Sequence, residues 1–78
     1  MPTTASSVTY DLAKGMQNGQ VTKLQQILAV YPEIYPEGLI TGYFGPATER
    51  AVQKFQKKHG LEQVGYVGPK TRTLLNSL

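Results

Sequence analysis

Gly42-Tyr43-Phe44-Gly45-Pro46-Ala47-Thr48 returns 23 residues later as Gly65-Tyr66-Val67-Gly68-Pro69-Lys70-Thr71. Five of the seven positions are identical, and Phe44 against Val67 exchanges one apolar side chain for another. Each copy runs into a helix-like stretch, Glu49-Arg50-Ala51-Val52 in the first and Arg72-Thr73-Leu74-Leu75 in the second. Proline directly after glycine suits a first helical position, where its missing N–H would have had no partner anyway. A repeated supersecondary unit cannot bury its apolar face alone. Two copies are too few for a solenoid, so the repeat predicts a compact domain of two turn-helix units closed by a third element.

The third element lies upstream. Val21, Leu24, Ile27, Leu28 and Tyr31 recur with the spacing of an amphipathic helix. Asn18 is its expected N-cap, and Pro32 ends it by pushing the preceding residue out of the helical region. Helices are therefore expected near 19–30, 46–59 and 69–77, an all-α three-helix bundle with two pseudo-repeated Gly-Tyr-x-Gly-Pro units. Glu49 near the start of the second helix and Lys54, Lys57 and Lys58 toward its end match the helix dipole. Gly60 reads as its left-handed stop, followed by Leu61 as the apolar contact of a Schellman motif. The expected core is Leu12, Val21, Leu24, Leu28, Ile40, Phe44, Ala51, Val52, Phe55, Leu61, Val67, Leu74 and Leu75.

Between these helices lie connections. Residues 1–7 are small and polar and read as a disordered linker or appended residues, which leaves 8–78 as the domain. Val8, Tyr10 and Leu12 alternate with polar residues, as an extended strip over the helices would. Tyr-Pro-Glu occurs twice in Tyr31-Pro32-Glu33-Ile34-Tyr35-Pro36-Glu37-Gly38, and its prolines predict a stiff, shaped loop.

Composition narrows the function. Seventy-eight residues make one small domain with a marginal core. There is no cysteine, so no disulfide framework and no thiolate chemistry. No apolar run approaches the ~20 residues of a membrane span, and no leader-like segment is seen, so the signal of an exported parent is expected to have lain elsewhere or to have been removed. Eight basic against five acidic residues give a net charge of +3. That is modest for a nucleic-acid binder, and no base-reading motif accompanies it.

Catalytic groups are scarce. His59 is the one histidine, placed where it would complement a helix C-terminus. A zinc site needs three or four ligands, and neither a cofactor nor a metal is expected. Glu33 and Glu37 are the one close pair of carboxylates, on a loop with no sign of the burial that would raise a pKa. Gly42-x-x-Gly45 and Gly65-x-x-Gly68 precede helices but lack the Gly-Lys-Ser/Thr ending of a phosphate loop. The expectation is a binding module and not an enzyme.

The run Val21-x-x-Leu24-Gln25-x-x-Leu28, Gly42-Tyr43-Phe44-Gly45-Pro46-x-Thr48-x-x-Ala51-Val52-x-x-Phe55-Gln56-x-x-x-Gly60-Leu61, then Gly65-Tyr66-Val67-Gly68-Pro69-x-Thr71-x-x-Leu74-Leu75, resembles the peptidoglycan-binding domain family, type 1. The likeness runs from about Leu12 to Leu78. It implies a three-helix, non-catalytic module that targets a parent protein to the cell wall, outside the cytoplasm. Its implied partners are peptidoglycan, through glycan and stem peptide, and a catalytic domain of the parent; a monomer is expected, with no membrane and no nucleic acid. A related helical domain occurs in matrix metalloproteinase propeptides, so a protein-docking or prodomain-like module is the alternative. One departure stands out. Family loops commonly begin Asp-Gly, whereas this chain has Thr41-Gly42 and Val64-Gly65. Threonine can still bond its own turn, but valine cannot.

Within that resemblance, Phe44 and Val67 are the buried plugs of the repeat, and Tyr43 and Tyr66, one position earlier, should face outward. A tyrosine offers a sugar ring a flat apolar face and a hydroxyl; the alternative is that each ring merely packs over its loop. Arg50 and Arg72 are candidates to pair with stem-peptide carboxylates, or else solvated surface groups. Tyr31 and Tyr35 suit end-caps of the core better than ligand contacts, and Tyr35 is carried as a candidate ligand contact beside that reading. Gln25 and Gln56, at matching places on two helices, are expected to bond loop backbone.

Overall fold

The computed structural model describes residues 8–77, so the disordered linker expected over 1–7 lies outside the described residues. Three helices form: α1 (Gly19–Ala29), α2 (Pro46–Lys58) and α3 (Pro69–Asn76). Each ends one residue short of its expected bound, because Val30, His59 and Ser77 serve as C-caps. Asn18 caps α1 as expected, its side-chain oxygen accepting from the Gln20 and Val21 N–H groups at 2.9 and 3.1 Å. At the other end of α2, Leu61 N–H reaches the Gln56 carbonyl at 2.8 Å and Gly60 N–H the Lys57 carbonyl at 3.2 Å. These are the two bonds of a Schellman motif.

α1 and α2 pack directly on each other. Their apolar stripes meet in a core of Val21, Leu24 and Leu28 from α1 and Ala51, Val52 and Phe55 from α2, with Leu75 arriving from α3. Phe44 and Val67 are fully buried, each plugging the core from its own Gly-Tyr loop.

The N-terminal strip closes the bundle. Leu12 and Val67 exchange both backbone hydrogen bonds, at 3.1 and 2.7 Å, and Gln17 forms an antiparallel bridge with Tyr43. Residues 12–17 thus run antiparallel past both repeated loops. Among the described residues these isolated bridges are the only β pairing. Asn76 at the end of α3 holds the strip's start, its amide pairing with both the N–H and the C=O of Val8 at 2.9 Å.

The core departs from expectation at both edges of the loop preceding α2. Ile40 is 47% exposed, whereas Ile34 and Tyr35 are buried instead. The loop turns back after Tyr31, whose carbonyl accepts from both the Ile34 and the Tyr35 N–H at 2.9 Å. That turn directs Ile34 and Tyr35 inward and leaves Leu39 and Ile40 on the outgoing arm. Leu61 and Leu74 are only partly buried, and Val8, read as strip, is a core residue at 1% exposure.

Candidate functional site

The two Gly-Tyr loops are built by one device used twice. Gln25 of α1 is buried, and its amide accepts from Thr41 N–H and Gly42 N–H at 2.8 and 2.9 Å. Its NH2 donates to the Tyr43 carbonyl at 2.9 Å and to the Thr48 hydroxyl at 3.1 Å. Gln56 of α2 repeats this on the second loop. It accepts from Gly65 N–H at 3.1 Å and donates to the Tyr66 carbonyl at 2.8 Å and the Thr71 hydroxyl at 3.2 Å. A buried amide is costly unless its donors and acceptors are paired. Here the loop backbone and a threonine of the next helix pair them, so each loop is fixed to two helices at once.

Gly42 and Gly65 sit in the left-handed region, at φ 82° and 87°. A Cβ there would also come within 3.0 Å of Thr22 Oγ1 and of Glu49 Cγ respectively. Both the backbone conformation and the close approach require glycine. Thr41, in place of the family's usual aspartate, bonds its own turn by accepting from Tyr43 N–H at 3.2 Å. Val64 has no side-chain oxygen to do the same.

This framework alternates the loop side chains. Phe44 and Val67 point inward, while Tyr43 and Tyr66 remain 46% and 51% exposed. Each ring leans on the glycine that starts the next helix: a Cβ on Gly45 would meet Tyr43 Cε2 at 3.1 Å, and one on Gly68 would meet Tyr66 Cε1 at 3.6 Å. One part of each ring therefore rests on backbone and the rest faces solvent. Neither α2 nor α3 has a side-chain cap at these glycines.

The other candidates fare differently. Tyr35 is 2% exposed, with its hydroxyl donating to the Leu39 carbonyl. A ring enclosed by the core has no face for a ligand, so Tyr35 is corrected to a structural residue that shapes its loop. Arg50 pairs with Glu37 at 3.1 Å. Arg72 donates to the Thr9 carbonyl at 2.8 Å, and its Nε lies 3.3 Å from Asp11 Oδ1, near enough for charge attraction but off the line of a hydrogen bond. Both guanidinium groups already have partners within the chain and would have to exchange them for a ligand. His59 lies exposed against Phe55, ring centroids 4.5 Å apart, at the edge of the core. Among the described residues no three His, Cys, Asp or Glu side chains converge as metal ligands would.

Sequence reasoning missed a groove beside the second loop. About 590 Å³ in volume, it lies between the short connection after α2, Tyr66 and the start of α3, with Leu61, Glu62, Val64 and Lys70 among its lining residues. The available signal was the shortness of the connection, which takes only 8 residues from Gln56 to Val64 where the first half takes 16 from Gln25 to Thr41.

Residues 17–75 match the family described as "Putative peptidoglycan binding domain", and the chain belongs to that family. The zinc D-Ala-D-Ala carboxypeptidase of Streptomyces albus G is 43% identical over 60 residues, covering 77% of this chain and 24% of that protein. The N-acetylmuramoyl-L-alanine amidase CwlL of Bacillus licheniformis is 34% identical over 79 residues, covering 100% of this chain and 22% of the amidase. The chain thus spans about a quarter of the length of these relatives. Among solved structures, the SleB N-terminal domain superposes with a TM-score of 0.78 at 34% identity, over 91% of this chain and 93% of that one. A peptidoglycan-binding protein from Clostridioides difficile, solved in complex with glutamine hydroxamate, also gives 0.78 at 35% identity, over 90% of this chain and 42% of its own. Family and relatives together fit a peptidoglycan-binding module of a larger protein.

Proposed function

We propose that this domain binds peptidoglycan without cleaving it and targets a parent protein, catalytic domain included, to the wall outside the cytoplasm. The observation that carries this is the family match over residues 17–75, in a domain whose repeated loops present two exposed tyrosines. Tyr43 and Tyr66 are the proposed contacts. Each combines an apolar ring face with a hydroxyl, beside an uncapped helix start that favours an anionic group. Glycan rings suit the former and stem-peptide carboxylates the latter. The domain acts as a monomer in this reading, and among the described residues no side chain is poised to activate water or a nucleophile.

Co-sedimentation with purified sacculi tests the reading. The domain should pellet with the wall weakly, because one shallow surface on a small domain offers little area, and the turbidity of the suspension should stay constant. Protein that remains in the supernatant at low ionic strength with several wall types would overturn it in favour of a protein-docking module. Falling turbidity would show hydrolysis and overturn the non-catalytic part.

A further inference from the structure

The two halves share one frame, and two of the differences between them place charged side chains beside the second loop. At the 23-residue offset, Leu39 and Ala47 of the first half correspond to Glu62 and Lys70 of the second. Both of these charged residues line the groove beside Tyr66, together with Leu61, Val64 and Pro69. Both are exposed. The other four side-chain carboxylates, Asp11, Glu33, Glu37 and Glu49, each pair with a lysine or arginine. Glu62 and Lys70 pair neither with each other nor with any other charge among the described residues. One groove is therefore lined by an available anion from the connection and an available cation from the start of α3, together with apolar side chains, and the first half has no such pair at the matching positions.

We propose that this groove receives the peptide branch of the polymer, through a residue bearing both a free ammonium and a free carboxylate. Glu62 meets the ammonium and Lys70 the carboxylate. Tyr66, Val64 and Leu61 cover the aliphatic stem between the two charges. Opposite charges lining one groove select a zwitterion over a neutral sugar, since a neutral ligand would cover both groups without pairing them. The assignment rests on the wall-binding reading and adds to it which part of the polymer the second half recognises.

Titration of the domain with a synthetic stem tripeptide ending in diaminopimelate, followed by NMR shifts, tests the assignment. The tripeptide should move the resonances of Tyr66, Val64 and Lys70, and the same peptide with its terminal amine and carboxylates capped should not. Lys70→Glu and Glu62→Lys should each weaken binding about tenfold, the scale of one charge-assisted contact. Lys57→Glu changes the net charge as Lys70→Glu does but lies on α2 outside the groove, and it should bind as wild type. All three variants should keep a cooperative melt close to wild type, because none of the three residues is buried. Lys57→Glu should lie slightly lower and Lys70→Glu slightly higher, as the helix dipole at each position dictates. Unchanged affinity in both groove variants, or equal loss in Lys57→Glu, would overturn the proposal. Sacculi separate it from the reading beneath it. Wild-type protein that pellets with the wall while the groove variants pellet equally refutes the groove alone, whereas wild type that neither pellets nor binds the tripeptide refutes wall binding itself.

Discussion

Gln25 shows how much of this fold depends on single polar side chains. It meets two loop N–H groups, one carbonyl and one hydroxyl, all within 3.1 Å. Gln25→Ala would leave the buried Gly42 N–H and its neighbours without partners, at about 1–3 kcal/mol for each group that water cannot reach. Urea denaturation should accordingly show a loss of about 3 kcal/mol or more, and a somewhat smaller loss for Gln56→Ala, which makes three such bonds. The neighbouring loop positions should separate cleanly. Phe44→Ala, at 0% exposure, should cost on the order of 3–5 kcal/mol of stability through the cavity it leaves. Tyr43→Ala and Tyr66→Ala, at half exposure, should barely move the melting temperature yet weaken sacculus binding by about 1–2 kcal/mol each. Tyrosine variants that unfold the domain, or pellet as wild type does, would place the contact elsewhere.

At the level of elements, the two halves differ chiefly in one connection. From Gln25 to Thr41 the chain takes 16 residues, and from Gln56 to Val64 only 8. The additional residues make the proline-stiffened loop, which inserts Ile34 and Tyr35 into the core and is tied to α2 by Glu33–Lys58 and Glu37–Arg50, at 3.2 and 3.1 Å. Both carboxyls are held below the ordinary glutamate range, first by their own backbone N–H groups and then by Lys58 and Arg50 respectively. A depressed folded-state pKa adds stability that is present above the unfolded value and lost as pH falls through the folded one. The pairs are solvent-exposed, so the effect is small and screened by salt. Wild type should melt slightly above Glu37→Gln at pH 7, and the difference should close by about pH 3 and shrink in 1 M salt. A gap that persists in acid would assign the loop's attachment to Ile34 and Tyr35 alone.

Taken as a whole, the molecule is closed by its ends. Val8 and Leu12 are buried, Val8 is paired through Asn76 with a residue 68 positions away, and Leu12 is bonded to Val67. Removing residues 1–12 would expose the core that these two side chains cover, about 1.5–3 kcal/mol for each, and would leave Val67 without its backbone partner. A domain this small holds only a few kcal/mol in reserve. The truncated protein should therefore lose its cooperative thermal transition by circular dichroism, although all three helical segments remain in its sequence. Retention of a cooperative melt would show that the helices close without the strip.

The sequence alone determined the three helices, their caps and stops, the inward plugs Phe44 and Val67, the outward tyrosines and the loop-bonding role of Gln25 and Gln56. The helices with their caps and stops are local, fixed by proline and glycine chemistry or by helical period. The plugs, the outward tyrosines and the two glutamines were legible through the family resemblance and the repeat, which gave each loop reading a second instance. Only the tertiary structure decided that Ile34 and Tyr35 are core while Ile40 faces water, because an aperiodic loop takes its inside from whatever it folds against. It likewise decided that Arg50 and Arg72 pair within the chain, that Val8 belongs to the core, and that Glu62 and Lys70 share a groove. Those outcomes join residues brought together by chain reversal, and local propensity carries no record of such encounters.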